Sequence, residues 1–257
     1  MTGEGNSPSV RLSKRLSAIL SMVPCCRSAA DIGCDHGLLS IALLKEGRAE
    51  SVIASDLRPG PLARAEENIR AAGLSEKISL RLSDGLSSLS PGEADVIIIA
   101  GMGGLLILRI LEEGKDVLKS VKTLVLSPHT DIEEVRRRLP ALGFKIRKEK
   151  IIKDAGKYYF TLRAEQLEKE AEDLEENTAP GKSADETEEQ QLYYAFGCLI
   201  DTCDPVFWEY LQKEEKKTED VLLKVKNASD TAYCENLARL SLIRAAKARM
   251  DKSLHSL

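Results

Sequence analysis

The stretch "SAADIGCDHGLLSIALLKEG", Ser28–Gly47, decides the fold. Ser28–Cys34 is an apolar run that enters a turn. Leu38 onward reads as a helix stopped by Gly47. Strand, turn and helix in that order form the unit at which an α/β sheet holds a nucleotide-type cofactor. Yet Asp35 and His36 stand where a phosphate-binding turn uses glycine and free N–H groups.

The alternation continues on both sides. "KRLSAILSMV" (Lys14–Val23) reads as a short amphipathic helix that precedes the first strand. "SVIASD" (Ser51–Asp56) is a strand, and "GPLARAEENIRAAG" (Gly60–Gly73) a helix with Pro61 near its start. "ISLRLSDG" (Ile78–Gly85) alternates with period two, and "ADVIIIAG" (Ala94–Gly101) is apolar enough to be buried on both faces. "GLLILRILEEGKDVL" (Gly104–Leu118) predicts one helix, "KTLVLSPHT" (Lys122–Thr130) a strand, and "DIEEVRRRLPALGF" a helix capped by Asp131. "KIRKEKIIKD" and "KYYFTLRAE" are two strands joined at Ala155–Gly156. This order predicts a parallel sheet with right-handed crossovers and an antiparallel edge.

Residues 165–191 are rich in acid and turn formers and read as a linker or insertion, separating a domain over 1–164 from one over 192–257. In the latter, Asp204–Pro205 starts a helix. Phe207, Leu211, Thr218, Val221, Leu222 and Val225 recur near heptad spacing. "NASD" (Asn227–Asp230) breaks the pattern, and Leu237, Leu240, Ile243 and Leu254 line a second helix, predicting a hairpin of coiled-coil type.

Composition narrows the function. With 257 residues, 43% hydrophobic and 30% charged, the chain is that of a globular protein. It has no apolar run long enough to span a membrane and no apolar signal core at its start, so a cytoplasmic location is expected. Six cysteines without a CxxC pair and only three histidines argue against a metal site. The net charge of −4 conceals a surplus of five basic residues over 1–164 and of nine acidic residues beyond. A basic front half permits a polyanionic partner. Lys14, Arg15, Arg136–Arg138, Lys145, Arg147, Lys148 and Lys150 are candidate phosphate contacts, with a solvated charged face as the alternative. Lys213, Lys216, Lys217 and Lys224 form a possible stripe on the first C-terminal helix. All eleven aromatic residues lie at or beyond Phe144, so any stacking surface comes from there, from a histidine or from Met102.

The strand ends carry the chemistry. Asp31, Asp35, Asp56 and Asp84 fall at the C-terminal ends of the first three strands. Asp56, 21 residues after Asp35, suits a carboxylate that binds ribose hydroxyls, and Asp84–Gly85 would approach an adenine edge. Gly33 and Gly37 keep the turn tight. A pyrophosphate would be repelled here. The carboxylates favour a ribose-bearing, cationic ligand without phosphate, and S-adenosylmethionine meets that description; NAD is the alternative. "AGMGG" (Ala100–Gly104) and "SPHT" (Ser127–Thr130) follow the next two strands and bring backbone and His129 to the same edge.

"LSKRL", "ADIGCDHGLL", "DG", "IAGMGG" and "GKYYFTLRAE" together resemble the bacterial tRNA (adenine-22-N1)-methyltransferases, closely over Arg11–Glu165 and more loosely through "FGCLIDTCDPVFWEYLQKE". The resemblance implies a Rossmann-like seven-strand methyltransferase sheet of the α/β class with a C-terminal helical coiled coil. It implies S-adenosylmethionine as cofactor, tRNA as partner, no metal, and methyl transfer to adenine N1. By motif, Asp35 is the catalytic carboxylate. Asp31, Gly33, Gly37, Asp56, Leu57, Asp84, Gly85, Ala100 and Gly101 would hold the cofactor. His36, Met102, Gly103, Gly104, Pro128, His129, Tyr158, Lys14 and Arg15 would meet the substrate. The chain departs from the family at His129, where relatives carry Asn, and in the length of the acidic insertion. Methylation of a small molecule or protein, and a non-catalytic RNA-binding adaptor, are the other readings. The oligomeric state is left between monomer and weak dimer.

Overall fold

The computed structural model describes residues 12–167, 186–224 and 231–254. Most of the acidic stretch, Val225 and the "NASD" break lie outside them, as does the side chain of Leu254.

Seven strands form one sheet: β1 (Cys26–Ile32), β2 (Ala49–Asp56), β3 (Ile78–Leu82), β4 (Val96–Ala100), β5 (Thr123–Ser127), β6 (Phe144–Asp154) and β7 (Lys157–Gln166). Their order is β3-β2-β1-β4-β5-β7-β6, with β1 to β5 parallel and β7 antiparallel to both its neighbours. The chain runs outward from β1 through β2 to β3, then returns to place β4 on the other side of β1. That reversal opens a crevice at the carboxyl ends of β1 and β4.

Side-chain alternation on the central strands builds two cores. Ile97 and Ile99 of β4 face one cluster and Val96 and Ile98 face the other, all essentially inaccessible. The first face is covered by α4 (Gly104–Glu113), α5 (Lys115–Leu118) and α6 (Ile132–Arg138). The second is covered by α1 (Lys14–Met22), α2 (Leu38–Lys45) and α3 (Pro59–Ala71). The segment Gly104–Leu118 is not one helix: the chain breaks at Gly114, where an added Cβ would stand 2.4 Å from Leu86 Cδ1. Asp131 precedes α6 but does not cap it with its side chain. It sits at φ 54°, and its carboxylate accepts a 2.6 Å hydrogen bond from Thr130 Oγ1.

The C-terminal helices are α7 (Glu188–Phe196), α8 (Pro205–Lys224) and α9 (Thr231–Leu254). Thr187 and Gln190 form a reciprocal capping box, so α7 begins within the stretch read as linker. Asp204 does cap α8, accepting from the backbone N–H groups of Val206 and Phe207. Phe207 and Leu211 of α8 and Leu240, Ile243, Ala246 and Met250 of α9 are buried, but Leu237 is 51% exposed. The pair is not free-standing. A third core joins Phe207, Leu211 and Ile243 to Leu192 and Phe196 of α7 and to Ile151 and Phe160 of the antiparallel edge. Beside it, Arg136 and Glu149, each 1% exposed in side chain, form a 2.8 Å ion pair. Arg136 Nη1 also donates to the carbonyls of Tyr194 and Ala195. Among the described residues no helix is long and apolar enough to cross a membrane.

Candidate active site

The crevice at the ends of β1, β2 and β4 is a cleft of about 380 Å³. Gly33, Asp35, Asp56, Leu57, Asp84, Gly85, Ala100, Gly101 and Met102 line it, as the sequence predicts, with Arg15 from α1.

The turn after β1 is locked from below. The N–H groups of Gly33 and Cys34 both donate to Ser55 O, at 2.8 and 2.9 Å. Gly33 has φ 76°, which favours glycine, and a Cβ there would displace the tip of the Met102 side chain, whose Cε would be 2.4 Å away. Asp35 is held at φ 52°, a conformation non-glycine residues adopt infrequently. Its N–H donates to Asp56 Oδ2 at 3.2 Å, and Arg58 N–H donates to Asp56 Oδ1 at 2.9 Å. Asp56 is thus 7% exposed with both oxygens aligned, whereas the carboxylate of Asp35 is 60% exposed. The backbone of the exposed acid is set by the side chain of the buried one.

The structure separates residues the sequence grouped together. Asp31 lies beneath the cleft rather than in its wall. It is fully buried, accepts a 2.6 Å bond from Ser40 Oγ, and burial pushes its carboxyl up to about 6 against that hydrogen bond. Gly37 packs on α3, where a Cβ would meet Ala65 Cβ at 3.2 Å. His36 is also outside the lining; its Nε2 stands 3.5 Å from Asp35 Oδ2, and its carbonyl accepts from Asn68. In "AGMGG" only Ala100, Gly101 and Met102 open onto the cleft. Gly103 and Gly104 instead admit the neighbouring loop: a Cβ on Gly104 would stand 2.6 Å from Thr130 O and 2.7 Å from Asp131 O. His129 N–H donates to Met102 O, which ties the loops after β4 and β5 together, with Pro128 buried between strand and loop.

At the cleft mouth Arg15 Nη1 lies 2.9 Å from His129 Nε2. That contact requires Nε2 to accept, so the imidazole is neutral with its proton on Nδ1. Burial, then Arg15 and Lys157, hold the His129 pKa below its usual value. The Arg15 guanidinium is 5.7 Å from the ring centroid of Tyr159, and His129 meets that ring edge-on at 5.8 Å. Tyr158, the predicted contact, is on the other side of β7. It packs against Tyr210 of α8 and under Lys153 and Lys213. Period-two alternation along "KYYF" carries the signal that separates the two tyrosines. Lys14 is exposed one residue before Arg15 and outside the lining.

The charge argument also needs correction. Arg58 and Arg109 join Arg15 in the lining, so the cleft balances three guanidiniums against Asp35, Asp56 and Asp84. Arg58 is mostly exposed and leans on Asp56, and Arg109 leans on Glu113. Only Asp56 of the three acids is buried; Asp35 and Asp84 are as open to solvent as Arg58 and Arg109. The Arg136–Arg138 run is committed elsewhere: Arg136 to Glu149, Arg137 to Glu133 and Glu186, Arg138 to Glu112. Among the described residues no group of three or more His, Cys, Asp or Glu side chains converges as a metal site.

The family described as Methyltransferase domain matches residues 12–162. The Bacillus subtilis tRNA (adenine(22)-N(1))-methyltransferase is 38% identical over 162 residues, 63% of this chain and 68% of that protein. The chain belongs to that methyltransferase family. Solved methyltransferases of this kind share the whole architecture, helical region included. The structure of the B. subtilis N1-methyladenine-22 tRNA methyltransferase matches with a TM-score of 0.78 at 31% identity, covering 93% of this chain and 99% of that one. A Streptococcus pneumoniae protein, described as a candidate for the same activity and solved with S-adenosyl-L-methionine, matches with a TM-score of 0.76 at 33% identity, covering 92% and 99%. Arg58, Ser83, Leu106 and Arg109 also line the cleft, and no strand-end motif marks them.

Proposed function

We propose that the chain is an S-adenosylmethionine-dependent methyltransferase acting on N1 of adenine 22 in tRNA. The observation that carries the reading is the pairing of Asp35 with Asp56, an exposed carboxylate at positive φ tied to a buried one, in a chain 38% identical to an enzyme of that activity.

The cofactor suits the donor set. Asp56 keeps lone pairs free for ribose hydroxyls after its two backbone bonds. Asp84 and Gly85 stand where an adenine edge would be read, and Leu57, 62% exposed, with Leu106 offers apolar walls to its faces. Gly33 keeps a side chain out of the floor. When bound, S-adenosylmethionine supplies a methyl group on a sulfonium, an electrophile that needs no further activation.

The protein's part is positioning and charge. Adenine N1 is a Watson–Crick atom, so the base must leave its stack to enter the cleft. Its lone pair attacks without prior deprotonation. Asp35 accepts a hydrogen bond from the 6-amino group, opposes the positive charge that develops on the ring as N1 is methylated, and accepts a proton from that amino group. Lys14 and Lys157 are exposed and suit contacts to tRNA phosphates. Action on tRNA fits a cytoplasmic location.

The test is incubation with labelled cofactor and bulk tRNA, followed by nucleoside analysis. N1-methyladenosine is expected; another product, or none, refutes the reading. Asp35→Ala should abolish transfer while leaving cofactor affinity within a few-fold, and full activity in that variant would remove Asp35 from the chemistry.

A further inference from the structure

Among the described residues, the lining of the cleft contains no aromatic side chain. A base drawn out of its stack loses π-contacts, and proteins that take one up supply an aromatic face in return. Arg15 connects the cleft to such a face. Its guanidinium lies over Gly101, where an added Cβ would be 3.2 Å from Nη1, and it is bonded to His129 and set against the Tyr159 ring. Tyr159 is half-buried, and its hydroxyl bonds to no described residue. It projects from β7 beyond the last pairing with β5, Leu126 with Leu162, and so stands at the ligand-binding edge of the sheet. Its neighbours Tyr158 and Phe160 face the opposite way, onto Tyr210.

We infer that the face of Tyr159 is the seat of the target adenine, and that the Arg15 guanidinium, held there by His129, is the cation the base replaces. The inference rests on the functional reading above. A tyrosine face attracts positive charge. The adenine ring is neutral on arrival and gains charge as the methyl group transfers, so its attraction to Tyr159 grows along the reaction. An interaction that strengthens toward the transition state raises kcat. Arg15 occupies the face until a base arrives, so the aromatic surface is never bare.

The experiment compares Tyr159→Leu and Tyr159→Phe with the wild type. A substrate tRNA carries 2-aminopurine at the target position for binding, and the natural tRNA serves for single-turnover transfer. Cofactor affinity by calorimetry and thermal melting are measured in parallel. Wild type and the Phe variant should quench the fluorophore and transfer methyl at similar rates. The Leu variant should leave it bright and lose about 10- to 100-fold in transfer rate, with cofactor affinity and melting unchanged. A Leu variant with full quenching and rate overturns the inference, as does one whose loss follows cofactor affinity or melting. Wild-type protein that leaves tRNA unmethylated overturns the functional reading itself, and the inference with it.

Discussion

Asp31 gives the sharpest quantitative expectation. Burial holds its carboxyl at about 6 in the folded chain, against an ordinary 3.8. A raised folded pKa means the native state prefers the protonated acid. That preference is fully expressed below pH 3.8 and is lost as pH rises through 6. At neutral pH and above, keeping Asp31 ionised costs the fold about 3 kcal/mol, at roughly 1.4 kcal/mol per tenfold. Asp31→Asn removes the titration while retaining an oxygen to accept from Ser40. Burying the amide carries a cost of its own, but one that does not change with pH. The stability difference between variant and wild type should therefore shift in favour of the variant by about 2 kcal/mol between pH 4.5 and pH 8. Urea unfolding of both proteins across that range measures it, and the other titrating groups cancel in the comparison. A difference that stays flat with pH would refute the claim that this carboxyl is held up by burial. The acid would then be solvated or paired with a cation.

Three further outcomes follow from the packing and the charges. Glu149→Ala strands the buried Arg136 guanidinium and should cost about 3–5 kcal/mol, read as a lowered melting temperature. Gly104→Ala forces a methyl group to 2.6 Å from a backbone oxygen and should part the loops after β4 and β5, lowering methyl-transfer rate more than cofactor affinity. Lys14→Ala should reduce the salt dependence of tRNA binding by about one phosphate contact, while Arg138→Ala, paired with Glu112, should leave it unchanged.

The strand ends were legible because each is announced locally. An apolar β-branched run stops at a Gly or Asp, and the parallel order then brings Asp35, Asp56, Asp84 and Gly101 to one edge. What escaped was decided by partners far along the chain. The Arg136–Arg138 run looks like a phosphate grip until Glu149, Glu186 and Glu112 are seen to meet it, and nothing in a helix of seven residues announces those encounters. Asp31 and Asp35, four positions apart, end respectively under the floor and in the open, because the turn between them reverses at Gly33. Tyr158 and Tyr159 share composition and differ only in the face of β7 they occupy, which the pairing with β6 and the packing of α8 determine.

Gly197 lies against Glu149 so closely that a Cβ would fall 1.8 Å from Oε2, while Arg136 grips the carbonyls of Tyr194 and Ala195. Beside the side-chain core around Phe207, Leu211 and Ile243, part of the fastening of the C-terminal region thus runs through main-chain atoms and a missing side chain. Such a joint is largely indifferent to which residues the helices display outward. The exposed surfaces of α8 and α9 can diverge, or be exchanged by design, while the catalytic sheet keeps the same anchor.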